Sequence, residues 1–350
     1  MARIVVAGAG AVGASIAYHL ALAGADRVVL AEAGEIAGGA TGRAMGGVRQ
    51  QFTTAAEVRL AQASVRLFEE LGAPLFEQVG YLFLATTEAG EAELEARRGA
   101  QAALGVPVER VDPSFVRGLR VDDVRAAVIC REDGVADPAG VTRELVRRAA
   151  QRGVEVLEET DALELDADLL VLATGAWSGP LAAKLGFELP VRPLVRQLCD
   201  VGPVEGLPAD LPMTVEGETG FHFRRVGGDL RLAMTETAPR WDGPAEVRDD
   251  LVADWRARLA NRYPRAADAP LRRAWAGFYD MTPDAHPIIG PVADGVYAAC
   301  GFSGHGFMQA PAVGAAVAQE LLGDEPAIDL TPYRLDRFAA GAVFPETLVL

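Results

Sequence analysis

The chain has 350 residues, half of them hydrophobic, enough for a large core divided between two structural units. Its 33 Lys and Arg against 49 Asp and Glu give a formal charge of -16, which repels phosphate backbones and anionic membrane surfaces and argues against nucleic acid as a partner. The three cysteines, Cys130, Cys199 and Cys300, are far apart and form no CxxC pair, so neither a disulfide framework nor a zinc knuckle is expected, and a reducing, cytoplasmic setting fits.

Ile4 to Ala17 is apolar and small, like the core of a secretion signal, but only Arg3 precedes it and its glycines fall at spacings such a signal has no reason to keep. No other run is long and apolar enough to suggest a membrane span. Ile4 to Ala7 reads as a short β-branched strand ending at Gly8. Gly13 to Ala23 carries Ile16, Leu20 and Ala23 at helical spacing, and Val28 to Ala31 is again strand-like. Such a strand, helix, strand unit makes parallel sheet. A second helix is predicted from Glu57 to Leu71, with Val58, Ala61, Val65, Phe68 and Leu71 apolar and Gly72 as its stop.

Tyr81 to Ala85 opens a stretch read as strand-rich, followed by a helix from Pro138 to Gln151 with Val141, Leu145, Val146 and Ala149 on one face. Val154 to Leu157 and Leu169 to Ala173 are strands, the second ending at Thr174-Gly175-Ala176-Trp177. From Val191 to Trp275 strand-like alternation dominates, as in Gly220-Phe221-His222-Phe223-Arg224 and Leu230-Arg231-Leu232-Ala233, broken by one helix near Glu246 to Arg262. A last helix is predicted from Ala312 to Leu322. The fold expected is α/β: a Rossmann-like dinucleotide-binding domain of residues 1–79, 134–190 and 277–350, interrupted by a mostly antiparallel β substrate domain of residues 80–133 and 191–276.

Gly8-Ala9-Gly10-Ala11-Val12-Gly13 joins the first strand to the first helix, and Glu32 closes the second strand. Gly8 permits the tight turn and Gly10 a close approach of pyrophosphate. Gly13 allows helix and strand to pack closely, the helix N-terminus supplies partial positive charge, and Ala11 and Val12 between the glycines are counted with them as cofactor-binding. Glu32 would accept hydrogen bonds from the adenosine ribose and disfavours a 2′-phosphate, which leaves NAD and FAD.

Three further segments resemble the D-amino-acid oxidase superfamily, particularly its sarcosine oxidase and proline dehydrogenase-like branch. They are Ala40-Thr41-Gly42-Arg43-Ala44-Met45-Gly46-Gly47-Val48-Arg49-Gln50-Gln51-Phe52, then Ala173 to Ser178, then Met281 to Gly290 with Gly301 to Met308. The resemblance implies an FAD-binding flavoprotein in which Thr41, Arg43, Gly46, Gly47, Gly175 and Trp177 surround the cofactor. Gly304, His305, Gly306, Phe307 and Met308 would present donors to the flavin edge that becomes anionic on reduction. His305 either lines the flavin or serves only its turn, His286 is read as structural, and His19 as a plain helical residue. In monomeric sarcosine oxidases a cysteine before the Thr-Pro-Asp segment carries the flavin; Gly277 aligns there, and residues 33 to 52 contain no His, so the FAD is expected to be non-covalent.

What the resemblance implies of activity is an oxidase or dehydrogenase that breaks a C–H bond beside the nitrogen of a small-molecule amine or amino acid, such as sarcosine or proline, with the hydride passing to flavin N5. Arg49, with Arg224 after it, is the candidate fork for a substrate carboxylate, or else positions the flavin. His222, opposite in direction to Phe221 and Phe223, either enters the substrate space or faces solvent. Tyr279, where glycine oxidases carry an arginine, is a candidate donor to substrate or a core residue, and Phe52 and Met308 replace the carboxylate partners of sarcosine oxidase. Arg231 aligns with the lysine that promotes oxygen reaction in the sarcosine oxidases. The electron acceptor is then oxygen or another carrier, including a partner subunit. Two other readings are a catalytically idle FAD-binding subunit or assembly factor and an NAD-dependent dehydrogenase.

Overall fold

Ile4–Ala7 pairs in parallel with Val28–Ala31 on one side and Leu169–Leu172 on the other, and the two former strands are buried throughout. Burial on both faces is why all three read as continuous apolar runs. In this computed structural model, which describes residues 2–346 and Val349, the sheet has six strands. Their order is Ile288–Ala293, Val296–Cys300, Leu169–Leu172, Ile4–Ala7, Val28–Ala31 and Glu155–Leu157, parallel except for the edge strand Ile288–Ala293. Met1, Thr347, Leu348 and Leu350, at the ends of the expected domain ranges, lie outside the described residues.

Among the described residues seven helices accompany the sheets: α1 (Ala11–Leu22), α2 (Ala55–Leu71), α3 (Glu88–Ala103), α4 (Pro138–Ala150), α5 (Ser178–Lys184), α6 (Asp249–Arg262) and α7 (Gly306–Leu322). α1 packs between α4 and α7 over one face of the six-stranded sheet, in a core that includes Ile16, Leu20, Leu145, Val313 and Val317. A second sheet of nine strands runs Arg240–Trp241, Arg192–Val201, Asp229–Ala233, His222–Val226, Met213–Glu216, Tyr81–Ala85, Ala126–Cys130, Val108–Arg110, with Leu271–Met281 also paired to Arg192–Val201. Its pairings are antiparallel except between Met213–Glu216 and Tyr81–Ala85. Gly47–Val48, Gly134–Ala136 and Phe76–Glu77 form a small third sheet. Among the described residues no helix is long and apolar enough to cross a membrane, and no cluster of His, Cys, Asp and Glu could hold a metal.

α1 starts at Ala11, two residues before the expected Gly13, and α5 was not expected; four further differences have a local cause or consequence. α2 starts at Ala55 because the Thr54 hydroxyl accepts from the Glu57 amide at 3.4 Å, an N-cap one turn before the apolar face begins. α3 lies inside the stretch read as strand-rich; only Leu94 and Gln101 of it are buried, so hydrophobic periodicity does not announce it, and Thr87 caps it through the Gly90 amide. α6 begins at Asp249 rather than near Glu246, because the Gln197 side chain takes both the Arg248 amide at 2.8 Å and the Arg248 carbonyl at 3.1 Å. α7 starts six residues before Ala312 and contains Pro311.

A proline inside a helix removes one donor and leaves a carbonyl without its partner. Beside Pro311, Ser64 of α2 ties the two helices together: its hydroxyl donates to the Gln309 carbonyl and accepts from the Ala312 amide, both at 3.1 Å. Ser64 and Gln309 are both fully buried, so water cannot substitute. Ser64→Ala is expected to lower stability by about 1 to 3 kcal/mol in denaturant unfolding, the cost of leaving those groups unmatched. Unchanged stability would show that other groups satisfy the Gln309 carbonyl and the Ala312 amide.

Candidate functional site

A cavity of about 820 Å³ begins at the C-terminal ends of Ile4–Ala7, Val28–Ala31 and Leu169–Leu172 and reaches the face of the nine-stranded sheet. The mouth of a parallel sheet at its carboxyl edge is where open α/β folds take ligands. Gly8 turns there at φ +99°, and a Cβ on Gly13 would lie 1.9 Å from the Gly8 carbonyl oxygen, so only glycine lets α1 start this close to the first strand. Gly13 is therefore a packing residue behind the cavity. Gly8, Gly10, Ala11 and Val12 form the wall itself.

Glu32 lines the same end. Its carboxylate accepts from the Ala9 amide at 2.8 Å and the Gly34 amide at 3.0 Å, which fixes an anion at the tip of the second strand. The Thr41 hydroxyl accepts from the Ala11 amide at 3.0 Å, tying the loop of residues 40–52 to the start of α1. Arg43 donates to the carbonyls of Gly38 and Gly39. Arg43, Gly46, Gly47, Gly175 and Trp177 complete the wall, with Trp177 half exposed and edge-on to Phe278. A bare backbone turn, a helix N-terminus and an acid at the second strand are a donor set that fits the pyrophosphate and ribose of FAD.

Farther in, Gly304, His305, Gly306, Phe307 and Met308 line the cavity where α7 begins. Gly304 has φ +94°, and a Cβ there would fall 2.4 Å from the Tyr279 ring. The Asp280 carboxylate shapes this loop by accepting from the amides of Gly301 at 2.8 Å and Phe302 at 3.0 Å. Burial nevertheless pushes its carboxyl up to about 6, against the pull of those amides. His305 is the N-cap residue of α7 and also lines the cavity, with its ring edge-on to Phe52. His286 is structural as expected, buried against Glu57 and Phe344, and His19 bonds within α1 to Ser15.

At the nine-stranded sheet the lining includes Tyr81, Arg49, Arg196, Met213, His222 and Tyr279. The Phe221 and Phe223 rings enter the core on one face, so the strand alternation sends His222 to the other, and it is buried in the cavity wall rather than exposed. His222 Nδ1–H donates to the Gly220 carbonyl at 2.7 Å. Burial, and then the positive charges of Arg49 and Arg196, hold its pKa down to about 4 although that carbonyl works the other way. Burial likewise raises the hydroxyl pKa values of Tyr81 and Tyr279. This end of the cavity thus combines neutral polar groups with guanidinium charge.

Arg49 Nη1 donates to the Gln51 carbonyl, and the guanidinium lies 4.1 Å over the Phe52 ring, so Phe52 supports Arg49 from behind and does not line the cavity. Beneath the loop, the buried Asp133 accepts from the Gln50 amide and from the side chains of Gln50 and Gln51. Two expected arginines stand off the cavity wall. Arg231 faces Asp200 across the strand pair and makes a two-pronged ion pair with it at 2.9 and 3.1 Å, with its guanidinium 4.8 Å from the Trp275 ring. A buried charge settles on the nearest counter-charge, and the register supplies one. Arg224 donates to the Ala136 carbonyl at 3.1 Å, and burial lowers its pKa to about 10. Arg196, Tyr81 and Asp280 are wall residues that sequence reasoning missed. The signal for Arg196 is an arginine inside the apolar strand Leu194-Val195-Arg196-Gln197-Leu198.

The depressed pKa of His222 fixes a pH dependence. A base held below its unfolded value costs nothing above pH about 6.5 and destabilises the fold as pH falls toward about 4, where the unfolded chain is protonated and the native one is not. His222→Asn should remove that loss, on the order of 2 to 3 kcal/mol between those limits, as read by urea unfolding at pH 7 and pH 4.5. Parallel losses in both proteins would mean that His222 is not held neutral.

The sequence signature of the family described as "FAD dependent oxidoreductase" matches residues 3–320. FAD-dependent oxidoreductase domain-containing protein 1 of Bos taurus is 30% identical, over 99% of this chain and 87% of its own length. Glycine oxidase of Pseudomonas aeruginosa is 31% identical over 95% of this chain and 98% of its own. Among solved structures, L-proline dehydrogenase from P. horikoshii superposes with a TM-score of 0.89 at 28% identity, covering 97% of this chain and 98% of that one. The chain therefore belongs to the FAD-dependent oxidoreductase family, whose cofactor the donor set at the nucleotide end of the cavity fits.

Proposed function

We propose that this enzyme oxidises the C–N bond of an amine or amino acid, of the sarcosine or proline kind. The observation that carries the reading is the composition of the cavity at the nine-stranded sheet. Tyr81, His222 and Tyr279 are polar and uncharged there, beside the cations Arg49 and Arg196. The acids of the lining, Glu32, Glu35 and Asp161, belong to the nucleotide end, and Asp280 is taken by backbone amides. FAD, when bound, supplies the hydride acceptor at its N5. The chain's own residues then need to orient the substrate and exclude water, and such positioning lowers the barrier without a strong base. Neutral His222 adds no positive charge against an amine. Similarity to glycine oxidase and to L-proline dehydrogenase supports the same substrate class.

In this reading Gly8, Gly10, Ala11, Val12, Glu32 and Thr41 hold the pyrophosphate and adenosine. Arg43, Gly46, Gly47, Gly175 and Trp177 flank them, and residues 304–308 meet the flavin edge with the α7 amides. Arg49, fixed by Gln51 and Phe52, serves as a positive wall to the cofactor, the second of the two roles open to it. Residues 1–79, 134–190 and 277–350 form the cofactor unit and residues 80–133 and 191–276 the substrate unit. The separation of the six-stranded from the nine-stranded sheet supports that division, although Leu271–Met281 runs across one boundary.

Two measurements test this. Purified protein should release its FAD into the supernatant on heat or acid precipitation, since Gly277 stands at the attachment position of the sarcosine oxidases; flavin retained in the pellet would mean covalent attachment. Under argon, the flavin absorbance should bleach with one or more secondary amines or amino acids. A bound flavin that no amine reduces would instead identify an idle FAD-binding subunit. Admitting air afterwards separates the acceptors: rapid return of colour marks an oxidase, and persistent bleaching a dehydrogenase that passes electrons to another carrier.

A further inference from the structure

We propose that Arg196, not Arg49, receives the carboxylate of the substrate, so that the substrate class is an amino acid rather than a simple amine; this rests on the amine-oxidoreductase reading above. Arg196 sits in the middle of Arg192–Val201 and lines the cavity. The residue opposite it in the paired strand Leu271–Met281 is Gly277, which places no side chain over it. Two residues along, the Tyr279 ring lies against the guanidinium, 5.5 Å from its carbon to the ring centroid.

The decisive observation is that Nε and Nη1 of Arg196 are buried and, among the described residues, have no hydrogen-bond partner. Leaving charged donors unmatched in a protein interior is costly, and such a group is retained where a ligand completes it. The neighbouring arginines are committed elsewhere. Arg49 is held by Gln51 and Phe52, Arg43 by two carbonyls and Arg231 by Asp200, while Arg224, whose Nε is likewise unmatched, donates to Ala136 and does not line the cavity. The groups beside Arg196 in the cavity wall include Tyr81, Tyr279 and His222, all neutral, so none of the three supplies Arg196 with a counter-charge. A carboxylate fits this on both counts: its two oxygens match a planar guanidinium, and its charge balances the site. A substrate so anchored would lie over Tyr279, beside the loop of residues 304–308 that packs on the same ring.

The test uses the FAD-loaded protein and needs no turnover: benzoate and benzamide are titrated separately, and binding is read from the change in the flavin spectrum. Wild type should hold benzoate about tenfold or more tighter than benzamide. Arg196→Gln should abolish that preference by weakening benzoate alone, with FAD content and melting temperature unchanged. Arg196→Lys, which keeps charge without the fork, guards against a folding defect in the first variant and should bind benzoate several-fold less tightly than wild type. The proposal falls if wild type shows no preference, if Arg196→Gln keeps it, or if Arg49→Gln abolishes it while Arg196→Gln does not. Failure of the oxidoreductase reading looks different: the benzoate preference depends on Arg196, yet no amine bleaches the flavin.

Discussion

The close approach of α1 to the strand Ile4–Ala7 governs most of what this protein can do. With Gly13 pressed against the Gly8 carbonyl, α1 begins immediately after the strand ends and directs its first amides along the carboxyl edge of the sheet. A side chain at Gly13 would force helix and strand apart and move that edge. The second strand brings Glu32 to the same place, and Thr41 fastens the following loop to the Ala11 amide. One backbone contact thus positions the nucleotide end of the cavity and the start of the loop that carries Arg49 to its other end.

From there the site is built by supports that stand behind the cavity wall or brace it. Asp133 holds Gln50 and Gln51, and Gln51 and Phe52 hold Arg49. Asp280 holds Gly301 and Phe302, which sets the loop into α7, and Ser64 of α2 fastens the first turns of that helix on either side of Pro311. Burial raises the carboxyls of both Asp133 and Asp280 to about 6, so each acid works under a desolvation cost that its backbone and amide donors offset in part. Rigid placement of this kind suits a reaction in which orientation contributes more than proton transfer.

The arginines illustrate how strand register assigns chemistry. Arg231 and Arg196 both lie in strands of the nine-stranded sheet, and both carry a permanent charge into the interior. Arg231 falls opposite Asp200 and becomes part of the sheet, whereas Arg196 falls opposite Gly277 and has no such partner. Nothing in the local sequence of either strand distinguishes the two cases.

What the sequence by itself determined is the cofactor end. Its determinants are local: glycines between a strand and a helix, an acid at the next strand, and short runs around Thr41, Gly175 and Gly304 whose backbone geometry follows from nearby residues. The direction of His222 was also legible, because strand alternation with two phenylalanines fixes it. The tertiary structure alone decided the end of the cavity at the nine-stranded sheet. Whether an arginine meets a carboxylate, a carbonyl or open cavity depends on which residue a distant segment places opposite it, and Asp200, Ala136 and Gly277 are far in sequence from Arg231, Arg224 and Arg196, the arginines they face. α3 escaped for a related reason: with only Leu94 and Gln101 buried, it is held by its Thr87 cap and by the sheet it lies against, and periodicity along the chain carries little trace of either.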